Sequence, residues 1–234
     1  MLSHYRIGLT LRSSNATSYF EERDSISYDW IRFLDKSGLY PILIPNALRD
    51  PVLYIKKADI DILVLTNGED FRRKYYHNPK YFEPKFNPAR DKSELLLLEW
   101  AIKNDIPTLA VCRGFQFVNI YKGGKLIPFL KENIDGGINH VATNHSIKIL
   151  DNNLEFLNKS RTSKVNSFHN HGIIKSTLGS DLIPFAIATD GVIEGFYLKN
   201  KPLLGIQWHP ERKGSNNFIQ KQLFKYFIDN GKWW

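Results

Sequence analysis

Short apolar runs alternate with helix-like stretches through the first half of this chain, and that alternation leaves few folds open. The runs YRIGLT (5–10), YPILIP (40–45), DILVLT (61–66) and PTLAVC (107–112) are rich in Ile, Val and Leu and read as strands. Helical patterns at 28–38, 91–104 and 114–124 separate or follow them, the first closing on Gly38. Parallel strands need crossover connections of this length, and buried parallel strands lack the polar alternation of a half-exposed sheet. The second half reads differently. Strand-like runs at 146–150, 164–168, 184–189, 193–198 and 203–208 follow one another with turns, DGV (190–192) among them, before a last helical pattern at 215–231. The expected class is therefore α/β: a mixed, mainly parallel sheet flanked by helices, with an antiparallel extension. No internal repeat or low-complexity linker divides the chain, so residues 1–234 are read as one domain. The long polar stretch 70–92 is expected to be a lid or specificity loop.

Composition narrows the function classes. Hydrophobic residues at 42% supply enough apolar surface for a packed core, which argues against disorder. One cysteine excludes an intrachain disulfide and a cysteine-based zinc site. The N-terminus MLSHYRIGLT lacks the charged leader and long apolar core of a signal peptide. The most apolar runs are too short to span a bilayer, so no membrane partner and a cytoplasmic location are expected. The formal charge of +8 suits nucleic acid, anionic lipid or an acidic small molecule. Because the basic residues cluster only in 70–92 and no nucleic-acid-binding motif is present, a nucleic-acid partner is disfavoured.

The single cysteine lies where strand-like 107–111 runs into a helix-like pattern, in AVCRGFQ. A residue at such a turn is lifted above the sheet edge, and its flanking positions must be small; Ala110 and Gly114 are. Backbone N–H groups at a helix start favour a thiolate and can stabilise an oxyanion. Far downstream, GIQWHPER (205–212) ends a strand at Trp208 and sets His209 and Glu211 one residue apart. In an extended backbone both side chains would point the same way, so the carboxylate could hold the imidazole in one tautomer facing a thiolate.

Together, AVCRGFQFVNIYKGGKL and GIQWHPE resemble the class I glutamine amidotransferase-like hydrolases (flavodoxin-like fold), in the branch of the γ-glutamyl-γ-aminobutyrate hydrolases. Three further segments agree: NPARDKSELLLLEWAIKNDIP (87–107), VNSFHNHGI (165–173) and DGVIEGF (190–196). By that resemblance Cys112 is the nucleophile, His209 its base and then acid, and Glu211 the residue that orients His209. The reaction implied is attack on a γ-glutamyl carbonyl, release of an amine and hydrolysis of the γ-glutamyl thioester, with no metal and no other cofactor expected. The backbone N–H groups of Gly68 and Arg113 would meet the oxyanion. Gln116 would hold the glutamyl group, and Ser167, Phe168 and His169 would lie beside it. The chain departs from the pattern in two places. Asn67 precedes Gly68 where the family has a second glycine, and Asn tolerates unusual backbone angles. The family's His-His-Gln becomes His169-Asn170-His171, which leaves the leaving group undetermined.

Stretch 70–92 mixes Arg72, Arg73, Lys74, Lys80, Lys85 and Arg90 with aromatic rings, and guanidinium groups suit phosphate oxygens while rings suit a base or sugar. Arg72, Arg73 and Arg90 are the expected contacts to an anionic leaving group. The chain also resembles γ-glutamyl-CDP-amidate hydrolases, which free a cytidine phosphoramidate for capsule decoration. The alternatives are a glutaminase subunit feeding ammonia to a separate synthetase, and a γ-glutamyl polyamine or aminobutyrate hydrolase. A synthetase partner or a homodimer stays open.

Overall fold

The computed structural model describes residues 5–79, 82–150, 154, 157, 162–214, 219, 222, 223 and 226. Among these residues, nine strands form one sheet in the order β4-β1-β5-β6-β11-β10-β9-β7-β8. β1 (Arg6–Thr10), β4 (Tyr40–Ile44), β5 (Ile62–Leu65), β6 (Thr108–Val111) and β11 (Leu203–Ile206) are mutually parallel. β10 (Ile193–Leu198), β9 (Leu182–Ala188), β7 (Thr143–Ile149) and β8 (Thr162–Ser167) continue the sheet antiparallel. The mixed sheet read from the sequence is thus present, and β11 is the strand that returns to the parallel half.

The inner parallel strands β1, β5, β6 and β11 are buried on both faces, because helices cover both, while the edge strand β4 stays partly exposed. On one face Ile7, Leu9, Ile62, Val64, Leu109 and Val111 pack with Trp30 and Leu34 of α1 (Tyr28–Lys36). On the other, Leu63, Leu65 and Ala110 meet Ile55 of α2 (Pro51–Lys57), Leu97, Leu98 and Ala101 of α3 (Pro88–Lys103), and Phe115 and Val118 of α4 (Arg113–Tyr121). Alternate residues of one strand therefore serve two cores. The expected helix at 215–231 lies largely outside the described residues; within it Ile219 and Leu223 are helical and buried against the first core.

Among the described residues, β2 (Arg12–Asn15), β3 (Glu22–Ser25), α2 and α5 (Leu130–Asn133) are additional to the expected set. The hairpin of β2 with β3 is polar throughout and carries no apolar signal. Helix α2 starts where Asp50 accepts from Leu53 N–H and Pro51 takes the first turn. The short α5 lacks the length to show a period. The stretch 70–92 is not one loop. Its last five residues belong to α3, which begins earlier than the apolar pattern because Asn87 caps it, accepting from Ala89 and Arg90 N–H.

Candidate active site

In an open parallel sheet a ligand binds beyond the carboxyl ends of the strands, where the winding direction reverses. Here β1 is flanked by β4 on one side and β5 on the other, so the reversal lies at β1/β5. A cavity of about 400 Å³ opens there, lined by Arg12 after β1, Asn67–Asp70 after β5, Cys112 after β6, Phe168 after β8, and His209 and Arg212 after β11, with Lys85 at its edge.

Cys112 sits at φ +52°, ψ −98°, and caps the N-terminus of α4. A non-glycine residue held in that region costs on the order of 1–3 kcal/mol, and it persists because the surroundings over-determine it. Cys112 N–H donates to Ile206 O at 2.9 Å, and Cys112 O accepts from Gln116 N–H at 3.1 Å. The turn also demands Gly114, since a Cβ there would lie 2.3 Å from Leu65 O. Arg113 is the first residue of α4, so its N–H is one of the donors that a helix leaves unpaired.

His209 is buried and its Nδ1 lies 2.7 Å from Glu211 Oε1. The two are joined by a tight turn, closed by Arg212 N–H to His209 O at 3.4 Å, and not by the extended backbone expected from their spacing. Asn166 fixes this turn: its Oδ1 accepts from His209 N–H at 2.8 Å and its Nδ2 donates to His209 O at 2.9 Å. The ring's Nε2 has no hydrogen-bond partner among the described residues. Burial pulls the imidazole pKa down, but the negative charges of Cys112 and Glu211 outweigh it and hold the pKa up at about 9. The sulfur, the imidazole and the carboxylate thus form one electrostatic unit, of which Cys112 and His209 line the cavity and Glu211 backs the ring.

Beneath the loop after β5 lies a buried ion network that sequence reasoning did not anticipate. Arg90 is fully buried; it pairs with Glu94 at 2.9 Å and Glu69 at 2.7 Å, and donates to Thr66 O at 3.0 Å and Asn67 O at 3.1 Å. Arg113 pairs with Asp91 at 2.6 Å and with Glu94, and its guanidinium lies 4.5 Å from the Phe71 ring centre. The Arg90 guanidinium packs so close to Gly68 that a Cβ would fall 1.9 Å from Nη1. Glycine at 68 is required by this packing. Asn67 does not adopt a positive φ; it is held by accepting from Trp30 Nε1 at 3.0 Å.

Several expected contacts move. Arg90 is spent on the network and offers nothing to a leaving group. Arg72 stacks on Phe86 at 5.4 Å, and Arg73 donates to Pro79 O and lines a separate depression with Lys74 and Lys125, so neither faces Cys112. Gln116 is directed to His171 O at 2.9 Å and Gln207 Oε1 at 3.1 Å, outside the cavity wall. Of the segment after β8, Phe168 lines the cavity, 5.6 Å from the His209 ring, while Ser167 and His169 turn away into the protein. Among the described residues, the cations that do reach the cavity are Arg12, Lys85 and Arg212. Arg12 belongs to the hairpin the sequence hides, and Arg212 directly follows the His-Pro-Glu motif, a neighbour that could have been weighed.

The profile of the Peptidase C26 family matches residues 7–211. The chain belongs to that family. It is thus a glutamine amidotransferase-like hydrolase, as the ordered motifs suggested. It is 30% identical over 215 residues to the gamma-glutamyl-CDP-amidate hydrolase of Campylobacter jejuni, covering 92% of this chain and 94% of that one. It is 28% identical over 206 residues to the gamma-glutamyl-gamma-aminobutyrate hydrolase PuuD of Escherichia coli, covering 82% and 80%. The solved structure of a glutamine amidotransferase from Thermotoga maritima shares the fold with a TM-score of 0.61 at 15% identity, over 97% and 84% of the two chains. Among the described residues no helix is long and apolar enough to cross a membrane.

Proposed function

We propose that this chain is a cysteine-dependent γ-glutamyl hydrolase whose substrate is a small γ-glutamyl amide or phosphoramidate. The observation that carries the reading is the meeting, in one cavity, of a strained Cys112 at a helix start and His209, whose ring is backed by Glu211. Cys112 Sγ attacks the γ-carbonyl, and the oxyanion forms within reach of the Arg113 and Gly68 N–H groups. His209, held protonated beside the sulfur, donates to the departing nitrogen. It then takes a proton from the water that hydrolyses the thioester, and glutamate leaves. Glu211 keeps the ring in the tautomer and orientation for both transfers.

For the leaving group, Arg12, Lys85 and Arg212 supply positive charge at the cavity rim, and Phe168, with Arg212 stacked on it at 4.6 Å, supplies a flat face. This chemistry suits an anionic group with a ring, and a γ-glutamyl nucleotide amidate such as the CDP derivative is the preferred substrate. A place in capsule phosphoramidate synthesis follows from that substrate. The test compares γ-glutamyl-CDP-amidate with glutamine and a γ-glutamyl anilide. Lys85→Ala and Arg12→Ala should each raise KM for the nucleotide amidate about tenfold, the loss of one hydrogen bond to a charged group. Turnover of the uncharged substrates should barely change. Equal losses on all substrates would overturn the nucleotide reading, and Cys112→Ala within tenfold of wild type would overturn the hydrolase reading itself.

A further inference from the structure

Behind the wall of the Cys112 cavity, β7, β8 and β10 converge on a second cluster that the hydrolase reaction does not use. His145 comes from β7, His169 from the turn after β8, Glu194 from β10 and His140 from the loop before β7. All four are buried, Glu194 completely. One donor atom from each lies within 4.8 Å of every other. Around Glu194 Oε1 stand His140 Nδ1 at 3.5 Å, His145 Nε2 at 3.5 Å and His169 Nε2 at 3.4 Å.

The far nitrogen of each ring shows which atom carries the proton. His140 Nε2 is 2.9 Å from Asp190 Oδ2, His169 Nδ1 is 3.1 Å from His171 O, and His145 Nδ1 is 3.4 Å from Ser146 O. Each of these partners is an acceptor, so each outer nitrogen is the N–H and each inner nitrogen of a neutral ring is a lone pair. Those lone pairs face a carboxylate, which is also an acceptor. Accordingly His145 Nε2, His169 Nε2 and both oxygens of Glu194 have no hydrogen-bond partner among the described residues. His140 Nδ1 also meets Ser167 Oγ at 3.4 Å, but His145 Nε2, His169 Nε2 and the Glu194 carboxylate remain buried acceptors turned on one another, an arrangement the chain would avoid, since an unpaired buried charge costs several kcal/mol. Reversing a ring's tautomer only moves the conflict to the carbonyl or carboxylate outside. A proton on His140 relieves a single edge of the cluster and leaves His145 and His169 as they are.

We propose that His140, His145, His169 and Glu194 bind one zinc ion in a closed tetrahedral site. Zinc–nitrogen and zinc–oxygen bonds of about 2.0–2.2 Å give tetrahedral ligand–ligand edges of roughly 3.3–3.6 Å, the spacing found around Glu194 Oε1. Imidazole donors select zinc or a similar transition metal over calcium or magnesium, which take oxygen shells. The Asp190–His140 contact and the two carbonyl contacts are the outer partners that fix ligating histidines. Charge also closes: a dication is matched by Glu194 and Asp190. With four protein ligands the ion has no open position, so its role is to hold structure. It ties β7 and β10 to the end of β8, where Asn166 grips the His209 backbone and Phe168 forms the cavity wall.

The experiment uses tag-free full-length chain carrying Cys112→Ala, so that the cavity thiol cannot contribute a ligand. After expression with zinc and desalting, elemental analysis should find close to one zinc per chain. Chelator-treated protein given Co²⁺ should develop the intense visible bands of tetrahedral cobalt, and zinc should compete them away. Adding Glu194→Gln should weaken zinc binding by more than about 100-fold, and Asp190→Asn by about 10–100-fold. Zinc should raise the melting temperature of the chelator-treated Cys112→Ala protein and not that of the Glu194→Gln form. If Glu194→Gln fails to fold, the cobalt spectrum of the parent decides. Desalted parent protein without zinc, together with a weak octahedral cobalt spectrum or none, would overturn the proposal.

Discussion

At the level of single residues, the proposed catalytic unit is set by one strained backbone angle and one short hydrogen bond. Because the charge of Cys112 is a main reason that the His209 pKa stands near 9, Cys112→Ala should do two things. It should abolish turnover, and it should lower the imidazole pKa measured by NMR titration; an unchanged value would show that the sulfur and the ring do not interact. The same shift fixes the pH profile. His209 gives up its proton as pH rises through about 9, so kcat/KM should have its alkaline limb near that value. Replacing His209 removes both the proton donor and the acceptor, whereas Glu211→Gln leaves the ring in place with a weaker partner. The expected order of lost rate is Cys112 ≈ His209 > Glu211, with losses of roughly 10²–10⁴ for the acid–base terms. A larger loss from Glu211→Gln than from His209→Ala would reverse these roles.

At the scale of elements, what was legible and what was not divide along a physical line. Strands buried on both faces, such as β5 and β6, announce themselves as apolar runs, and Ala110, Cys112 and Gly114 mark the sharp turn into α4 by size alone. The polar hairpin β2–β3 has no such signature. It is held by long-range polar contacts: Ser13 N–H donates to Glu69, and Asn46 N–H, just after β4, donates to Asp24. Hence Arg12 could not be placed at the site from sequence. Arg90 was misplaced for the opposite reason, since a basic residue in a polar stretch gives no hint that a buried carboxylate, Glu94, lies one helical turn away. The turn itself can be tested. Gly114→Ala would drive a methyl group into Leu65 O, a backbone atom that cannot yield cheaply. It should lower the melting temperature and abolish turnover together, and retention of both would show that α4 can shift away from β5.

For the whole molecule, the Arg90–Glu94–Arg113 network ties α3, α4 and the loop after β5 into one body under the cavity, so its protonation should be readable in global stability. Burial pushes the Glu94 pKa up, but Arg113 and Arg90 outweigh it and hold the carboxylate below its ordinary value of 4.5. The sign follows from linkage: a carboxylate with a depressed folded pKa contributes stability that is fully present above its unfolded pKa and is lost as pH falls through the folded one. Glu94→Gln keeps the shape and removes the charge, leaving two buried guanidinium groups with fewer anions between them. Breaking such a buried pair from one side costs about 3–5 kcal/mol. Urea unfolding should therefore show the variant markedly less stable than wild type at pH 6–7. The gap should hold down to about pH 4.5 and close below it, as wild-type Glu94 itself becomes neutral. A gap that is the same at pH 7 and at pH 3 would mean that Glu94 acts by packing alone, and that the two arginines do not depend on its charge.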